Sequence, residues 1–348
     1  MMIPKSLEEV RAFSLGDLEE EIRTKTYDEL NKRMREVKIL FRENPILGGR
    51  ARIEPEREKR KLETTHYEPK VKEEECYFCH PQEKCSKFPE ELGLKKIYFL
   101  NESVAFSNLY PIDEVMGVVV YNYKKHTISP IDLSYENWRD GLLLVKKVFE
   151  DSKKKYLYNN VNFGPKSAAS IEHFHGQFIC SNHELTITKR VRENINKFSS
   201  SAREFWRTWV KAMFEKNLVL HFDEENEVAL FVEWAPILGK SELVILSLNS
   251  SSLGEMGEKE LRSVAKLLEV ATKIFVEYVS DQFTILNISS FIGDDFCNQF
   301  RIASRAPLKY GMKVWEGFLE LSGESVPNIL PEELAQNLKE VISNFLRE

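Results

Sequence analysis

The spacing of apolar residues divides the chain into two kinds of segment. Short runs rich in Val, Ile, Phe and Tyr predict strands, and longer stretches with apolar residues three or four apart predict amphipathic helices. In the first half a helix is predicted over about 135–155, and strands over 96–100, 104–107, 115–121, 158–163 and 173–180. Residues 1–40 are highly charged, and their apolar residues at roughly helical spacing predict a helical segment.

The second half repeats this order of elements. A helix is predicted over about 258–279, and strands over 228–232, 242–248, 283–290 and 300–305. Because strand, strand, helix, strand, loop and strand recur in sequence, we expect an internal duplication. Residues 184–217 are expected to form a helical connection, and Pro331, whose missing N–H costs nothing in a first turn, to open a last helix.

Composition indicates a globular chain and argues against several functions. The 348 residues are 42% hydrophobic, and 49 basic residues against 55 acidic ones give a net charge of −6. An acidic chain without a basic block is a poor partner for nucleic acid, whose binding depends on neutralising phosphates. No apolar run reaches the roughly 18 residues of a membrane helix, and the N-terminus lacks the pattern of a signal peptide. We therefore expect a cytoplasmic protein without membrane or nucleic-acid partners.

Two of the seven histidines lie two residues apart, in the sequence His173-Phe174-His175-Gly176-Gln177. Side chains alternate along a strand, so the two imidazoles and the carboxamide are expected on one face, with His175 exposed to solvent at a cleft. The preceding G-P-K-S-A-A-S loop is suited to close approach by a phosphate, with Ser170 as a donor. A neutral imidazole is a good nucleophile toward phosphorus. A metal-ligating pair, or two incidental histidines in a sheet, remains the alternative.

Three of the five cysteines are close together in C-Y-F-C-H-P-Q-E-K-C. Cys76 and Cys79 would supply half of a tetrahedral zinc site. The other two ligands are open at this point, and the candidates are His80, Cys85, His126 and His173. A local knuckle that uses His80 and Cys85 is one alternative, and a redox dithiol is another.

Four sequence blocks, in order, resemble the galactose-1-phosphate uridylyltransferases, the sugar-nucleotide transferase branch of the histidine triad superfamily. They are R-E-N-P-I-L-G with P-E-R-E-K-R, E-C-Y-F-C, F-S-N-L-Y-P, and N-F-G-P-K-S-A-A-S-I-E-H-F-H-G-Q. The resemblance covers about residues 40–345, more loosely in the second half. It is specific because the His-x-His-x-Gln motif occurs together with Cys-x-x-Cys and two arginines three residues apart.

The resemblance implies a role for each matching residue. His175 matches the nucleophile that takes the nucleotidyl group, and Gln177 matches the residue that binds a phosphoryl oxygen. One structural zinc per chain would be held by Cys76, Cys79, His126 and His173. The substrate-binding residues implied in this way are Arg57, Arg60, Asn108, Asn162, Ser170 and Glu320.

The resemblance also implies an α+β fold of two histidine-triad-like halves, each a largely antiparallel sheet with a packed helix, merged into one unit. We expect an N-terminal helical segment (1–40), an N-terminal half with the zinc and the active site (41–183), and a C-terminal part (184–348). That last part would hold the connecting helix and a half that lacks the histidine motif. By analogy we expect a homodimer.

The implied activity is exchange of UMP between a UDP-hexose and a hexose 1-phosphate through a covalent nucleotidyl-histidine. Two other hypotheses stay open. Leu109 follows Asn108 where the family usually has aspartate, and Asn-Leu-Tyr-Pro resembles the ADP-glucose phosphorylase-like relatives. A phosphorylase acting on a nucleotide sugar or a dinucleoside polyphosphate is therefore the second hypothesis. The third is a catalytically silent, zinc-stabilised binding module, since the second half lacks the histidines.

Overall fold

The computed structural model describes residues 2–28, 32–55, 73–164, 167, 169, 171–307, 319, 322–327 and 329–346. The strands are β1 (Glu19–Asp28), β2 (Arg33–Glu43), β3 (Arg50–Ile53), β4 (Tyr98–Leu100), β5 (Ser103–Ser107), β6 (Val115–Val120), β7 (Tyr156–Phe163), β8 (His175–Ser181), β9 (Val219–Asp223), β10 (Val228–Val232), β11 (Glu242–Ser247), β12 (Ser280–Ile288), β13 (Gln299–Pro307) and β14 (Glu324–Ser325). The α-helices are α1 (Pro81–Lys84), α2 (Tyr135–Ser152), α3 (Thr186–Ile195), α4 (Ala202–Glu215), α5 (Glu258–Ile274) and α6 (Pro331–Phe345).

Ten strands form one sheet in the order β4-β5-β6-β8-β7-β12-β13-β11-β10-β9, with every neighbouring pair antiparallel. The order is symmetric about the β7–β12 pair. In the first half β8 lies between β6 and β7, and in the second half β13 lies in the same way between β11 and β12. Helix α2 precedes β7, helix α5 precedes β12, and the two helices pack together. The α+β fold of two merged, largely antiparallel halves is confirmed.

Helix α2 shows how the sequence fixes one element of this core. Ser134 and Asn137 form a reciprocal capping box at its start, and Lys153 ends it with a positive φ of 56°. Trp138, Leu142 and Val145 lie at helical spacing and are buried against the sheet. Burial of that apolar face, more than helix propensity, stabilises the element.

The connection between the halves is helical, as predicted, and consists of α3 and α4. In α4 the aromatic residues Phe205, Trp206 and Trp209 are fully buried. Phe13 from the N-terminal segment packs edge-on against Phe205 and Trp209 at centroid distances of 5.4 and 5.5 Å. The connection therefore supplies core for the second half as well as linking the two.

The prediction of a helical segment over residues 1–40 is wrong. Strands β1 and β2 pair in antiparallel register from Glu19–Arg42 to Asp28–Arg33, and β3 and β14 complete a separate four-stranded sheet. Cross-strand charge pairs, including Lys25–Glu36 at 3.2 Å, replace the helical contacts that the spacing indicated. The buried Arg42 connects this sheet to the second half, because its guanidinium forms an ion pair with Glu332 of α6 at 2.7 Å. The domain boundaries at 40 and 183 stay a prediction.

In the part of the chain that the structure describes, no helix combines the length and the apolar character needed to cross a membrane.

Gly141 tests how closely α2 packs on the sheet. A Cβ at this position would lie 2.4 Å from the buried ring of Tyr121. Helix propensity alone would favour Gly141→Ala by about 0.5–1 kcal/mol, but overpacking costs about 1–3 kcal/mol. We therefore expect Gly141→Ala to lower the free energy of unfolding in a denaturant titration. The control Gly16→Ala, where a Cβ meets open space, should leave it within about 0.5 kcal/mol.

Candidate functional site

Strand β8 presents two different faces. Phe174 and Phe178 are buried on the side of α2, where Phe174 packs against Tyr121 and Trp138. His175 and Gln177 line a cleft on the opposite face. The alternation expected for these positions is present, although His173 itself precedes the strand.

Gly176, between the two cleft residues, is required by packing beneath the strand. A Cβ there would lie 2.9 Å from the hydroxyl oxygen of Tyr121 and 3.0 Å from a methyl carbon of Val119. Any larger residue would lift β8 from the core. The absence of a side chain at Gly176 thus allows β8 to pack closely on Tyr121 and Val119, while the side chains of His175 and Gln177 face the cleft.

The cleft beside His175 has a volume of about 270 Å³. Half of its lining residues are aromatic or aliphatic and half are polar, and among the described residues there is no carboxylate. It consists of Tyr77, Phe78, Lys84, Cys85, Ser86, Phe106, Ser107, Asn108, Leu109, Tyr110, Val118, Ile171, His175 and Gln177. Such a surface suits a ring system with a negatively charged group attached.

His175 is more buried than expected, with 6% of its surface exposed. Its ring packs edge-on against Phe78 at a centroid distance of 4.9 Å. The expectation of a solvent-exposed residue with little packing is wrong, because the loop that carries Phe78 covers the strand. Substitution of His175 therefore also removes a packing contact.

One hydrogen bond shows which ring nitrogen of His175 carries a proton. Its Nδ1 lies 2.7 Å from the backbone carbonyl oxygen of His173. Because a carbonyl oxygen is only an acceptor, Nδ1 must carry the proton and donate it. Burial lowers the pKa of His175, so the neutral ring is favoured. The neutral tautomer with Nδ1–H leaves the lone pair on Nε2, where it can act as a nucleophile.

Asn108 lies at the edge of the cleft, where the chain turns. Its Oδ1 accepts a hydrogen bond of 2.8 Å from the backbone N–H of Tyr110, as in an Asx-turn. The turn leaves Leu109 and Tyr110 68% and 80% exposed at the mouth of the cleft. The position where the family usually has aspartate thus presents an apolar side chain.

Cys76, Cys79, His126 and His173 form a compact group whose four potential ligand atoms lie within 4.8 Å of one another. The Nδ1 atom of His173 lies 3.4 Å from the Sγ atom of Cys76 and 3.5 Å from that of Cys79. The Nδ1 atom of His126 lies 3.4 Å from the Sγ atom of Cys79. Tetrahedral zinc with its usual bond lengths would separate sulfur and nitrogen ligands by about 3.5 Å. The group is compatible with a zinc site.

The surroundings of the group also fit a cation. The Nε2 of His173 lies 2.8 Å from the backbone carbonyl of Asn122, so Nε2–H donates and Nδ1 is left as a ligand. Burial lowers the pKa of His173 to about 4, which keeps the ring neutral. Burial, and then the neighbouring Cys76, raise the pKa of Cys79 to about 12, so these thiolates need a cation to balance their charge.

The local-knuckle alternative does not fit the geometry. Cys85 donates from its Sγ to the backbone carbonyl of Tyr77 at 3.4 Å and lines the cleft. Neither Cys85 nor His80 belongs to the four-residue group found among the described residues. The residues that complete the four-residue group with Cys76 and Cys79 are the distant His126 and His173.

The structure brings some of the expected substrate-binding residues to the cleft and leaves others undescribed. Gln177 and Asn108 line it, and Asn162 lies on neighbouring strand β7, where the register places it across from His175. Arg57, Arg60, Ser170 and Glu320 lie outside the described residues. Phe78 was not among the site residues predicted from the sequence. Its position between Cys76 and Cys79 was a signal that it would lie near His173.

The second half has a different polar group on the corresponding face of the sheet. The register through β7 and β12 places Gln299 and Arg301 of β13 on the face that carries His175 and Gln177. Arg301 is fully buried, with an ion pair to Glu233 at 2.6 Å and a longer contact to Glu242 at 3.4 Å. Burial raises the pKa of Glu242 to about 7, although Arg301 acts in the opposite direction. This face is closed by packing and ion pairs.

Comparisons with known proteins address the fold. No protein-family model matches the sequence, and no curated protein matches it significantly. Among solved structures, an ADP-glucose phosphorylase from Arabidopsis thaliana with bound ADP-glucose is similar with a TM-score of 0.65 at 15% identity, over 86% of this chain and 97% of that one. A GalT-like protein from the same plant has a TM-score of 0.63 at 14% identity, over 86% and 98%. The chain has the fold of the galactose-1-phosphate uridylyltransferase-like proteins.

A uridylyltransferase structure has the same fold, with a TM-score of 0.60 at 15% identity over 87% of this chain and 98% of the other. These three matches span both halves of the uridylyltransferase-like fold and nearly all of each solved chain. The resemblance inferred from the motifs is thus confirmed at the level of the fold.

The geometry of the Cys–His group predicts one zinc ion per chain. We expect elemental analysis of purified protein to find about one equivalent, and Cys79→Ser to remove it. Because loss of a structural zinc removes a constraint on folding, the variant should lose several kcal/mol of unfolding free energy. Cys85→Ser is the matched control and should keep both metal and stability. Metal-free wild-type protein, or equal loss of metal from both variants, would contradict the assignment.

Proposed function

We propose that this chain is a nucleotidyltransferase that works by double displacement, with His175 as the nucleophile. The observation that carries the proposal is the position of the His175 ring at the cleft, where Nδ1 is fixed by the His173 carbonyl and Gln177 lies on the same face. The uridylyltransferase-like fold supports it, since the similar structures include a uridylyltransferase and a phosphorylase of a nucleotide sugar.

The chemistry follows from the tautomer. Nε2 of His175 attacks the α-phosphorus of a nucleoside-diphosphate sugar, so the Nε2–P bond forms and the bond from phosphorus to the bridging oxygen breaks. The sugar 1-phosphate leaves with that electron pair. Because Nδ1 keeps its proton, the adduct is cationic and stays labile, and a second phosphate can displace His175 in the reverse manner.

Gln177 favours transfer between phosphates over hydrolysis. A carboxamide can donate a hydrogen bond to a phosphoryl oxygen but has no titratable proton to give to a leaving group. A sugar phosphate leaves with little protonation, so a hydrogen bond suffices for exchange between phosphates. The covalent intermediate should therefore survive when no acceptor is present.

The Cys–His group would hold a structural zinc ion. Four protein ligands leave no open position for a substrate, so the ion would supply rigidity. The loop with Phe78 would be tied to His173, whose carbonyl fixes the nucleophile. The metal site thus supports the geometry of His175.

For the substrates we propose a UDP-hexose and a hexose 1-phosphate. The second candidate is a phosphorylase that uses inorganic phosphate on an ADP-sugar or a related nucleotide. The exposed Leu109 at the cleft mouth favours it, because Leu109 belongs to the Asn-Leu-Tyr-Pro sequence that resembles the ADP-glucose phosphorylase-like relatives. Homodimerisation and a cytoplasmic location remain predictions. A silent binding module, the third hypothesis, would form no covalent adduct.

Replacement of the nucleophile is the direct test. We expect His175→Ala to abolish covalent labelling by radiolabelled UDP-glucose or ADP-glucose, because no other group takes over the displacement. Loss of the contact with Phe78 should lower stability by about 1–3 kcal/mol, which leaves a folded protein. The measurement is label retained on denatured protein, with thermal unfolding as the check on folding.

The control for this test is His183→Ala, which removes an exposed histidine eight residues away and should label like the wild type. Retention of label by His175→Ala would show that the nucleophile is misassigned. Absence of label in the wild type with a full panel of nucleotide sugars would favour the binding module.

Steady-state kinetics test the double displacement. We expect parallel lines in double-reciprocal plots for the nucleotide sugar and the acceptor, since the first product leaves before the acceptor binds. Converging lines, or hydrolysis of the sugar nucleotide as fast as transfer, would contradict the mechanism. If inorganic phosphate is a better acceptor than hexose 1-phosphate, the mechanism stands and the phosphorylase replaces the transferase.

A further inference from the structure

A row of polar side chains runs from His175 across the junction of the two halves. The pairing Asn162–Thr284 joins β7 to β12, and one step beyond the Val161–Gly176 pair the register sets Asn162 across from His175. Directly paired antiparallel residues share a face. Asn162 and Thr284 are half-buried, whereas their neighbours Val161 and Phe283 are buried in the core. The row therefore lies on the face of the sheet that carries His175 and Gln177.

Arg305 of β13 extends this row. Its Nε donates a hydrogen bond of 3.0 Å to Oγ1 of Thr284, and Thr284 in turn donates to Oδ1 of Asn162 at 3.4 Å. The guanidinium thus lies beside β12, two interstrand spacings or roughly 10 Å from β8. We call His175, Asn162, Thr284 and Arg305 the junction row.

The direction of these hydrogen bonds has a chemical consequence. Because Oδ1 of Asn162 accepts from Thr284, the amide keeps the Nδ2 hydrogens as donors. A cation at the end of the chain polarises each bond toward donation. The junction row therefore offers hydrogen-bond donors and positive charge beside the nucleophile, on the side away from the aromatic cleft.

We propose that Arg305, held in place by Thr284 and like it from the second half, binds and positions the phosphate of the departing and incoming sugar phosphate. This inference rests on the proposed function. The aromatic cleft on one side of His175 takes the nucleoside, and the junction row on the other side takes the second phosphate. The half without the His-x-His motif then contributes directly to the reaction as an anion-binding surface.

The experiment compares two donors that form the same adduct on His175. UDP-glucose or ADP-glucose, whichever labels the wild type, carries a second phosphate. The corresponding nucleoside 5′-phosphorimidazolide has none, because imidazole is its leaving group. In Arg305→Met we expect labelling by the nucleotide sugar to slow about ten- to hundredfold, as for loss of a hydrogen bond to a charged group. Labelling by the phosphorimidazolide should stay within twofold of wild type.

Two further variants keep the test decisive if Arg305→Met folds poorly. Arg305→Lys preserves the charge and should recover part of the rate with the nucleotide sugar. Thr284→Val removes the hydroxyl that holds Arg305 and should slow the same donor about threefold to tenfold. Arg262→Met, which removes an arginine 52% exposed on α5, is the matched control and should behave as wild type.

The inference would be overturned if Arg305→Met and Thr284→Val were labelled by the nucleotide sugar at the wild-type rate. It would also be overturned if both donors lost rate by the same factor. In either case a wild-type adduct on His175 would leave the proposed function intact. Failure of the wild type to label with either donor would instead overturn the proposed function and the inference with it.

Discussion

The pairing of β7 with β12 is the interaction on which the architecture depends. Three residue pairs join the half-sheets, from Phe163–Phe283 to Val161–Ile285, and the two phenylalanine rings lie 5.1 Å apart between centroids. Where backbone pairing stops, the Asn160 side chain accepts a hydrogen bond of 3.0 Å from the backbone N–H of Asn287. Since register is transmitted across a sheet, this short contact decides which side chains of the second half share a face with His175.

Much of this arrangement could be predicted from local patterns. The spacing of apolar residues predicts most strands, the α2 and α5 helices and the duplication. The four residues of the Cys–His group are far apart in sequence, and they could be predicted because each matched a position in the family's motifs. The β1–β2 hairpin was missed because Ile22 and Ile39, which pair across it, also fit a helical spacing in a charged segment. The ion pairs between the two strands cannot be predicted from the spacing of residues within one segment.

The burial of His175 and the contact of Arg305 with Thr284 could not be predicted for a different reason. His175 is covered by Phe78, almost a hundred residues earlier, and Arg305 reaches Thr284 across a strand pair of the second half. Both depend on contacts between elements whose order in the sheet is not a property of local sequence. By contrast, the corresponding face of the second half is closed where Arg301 lies between Glu233 and Glu242. A fully buried ion pair occupies the space that a substrate would need.

His173 serves two neighbouring functions with two different parts of one residue. Its ring belongs to the Cys–His group, while its backbone carbonyl holds the Nδ1 proton of His175. Loss of the ring would remove the contacts of His173 with Cys76 and Cys79, so the Cys–His group and the proposed nucleophile are coupled through one residue. A lineage with this architecture would be expected to keep or discard both together, and the presence of the cysteine pair in a distant homologue becomes a marker for an intact nucleophile.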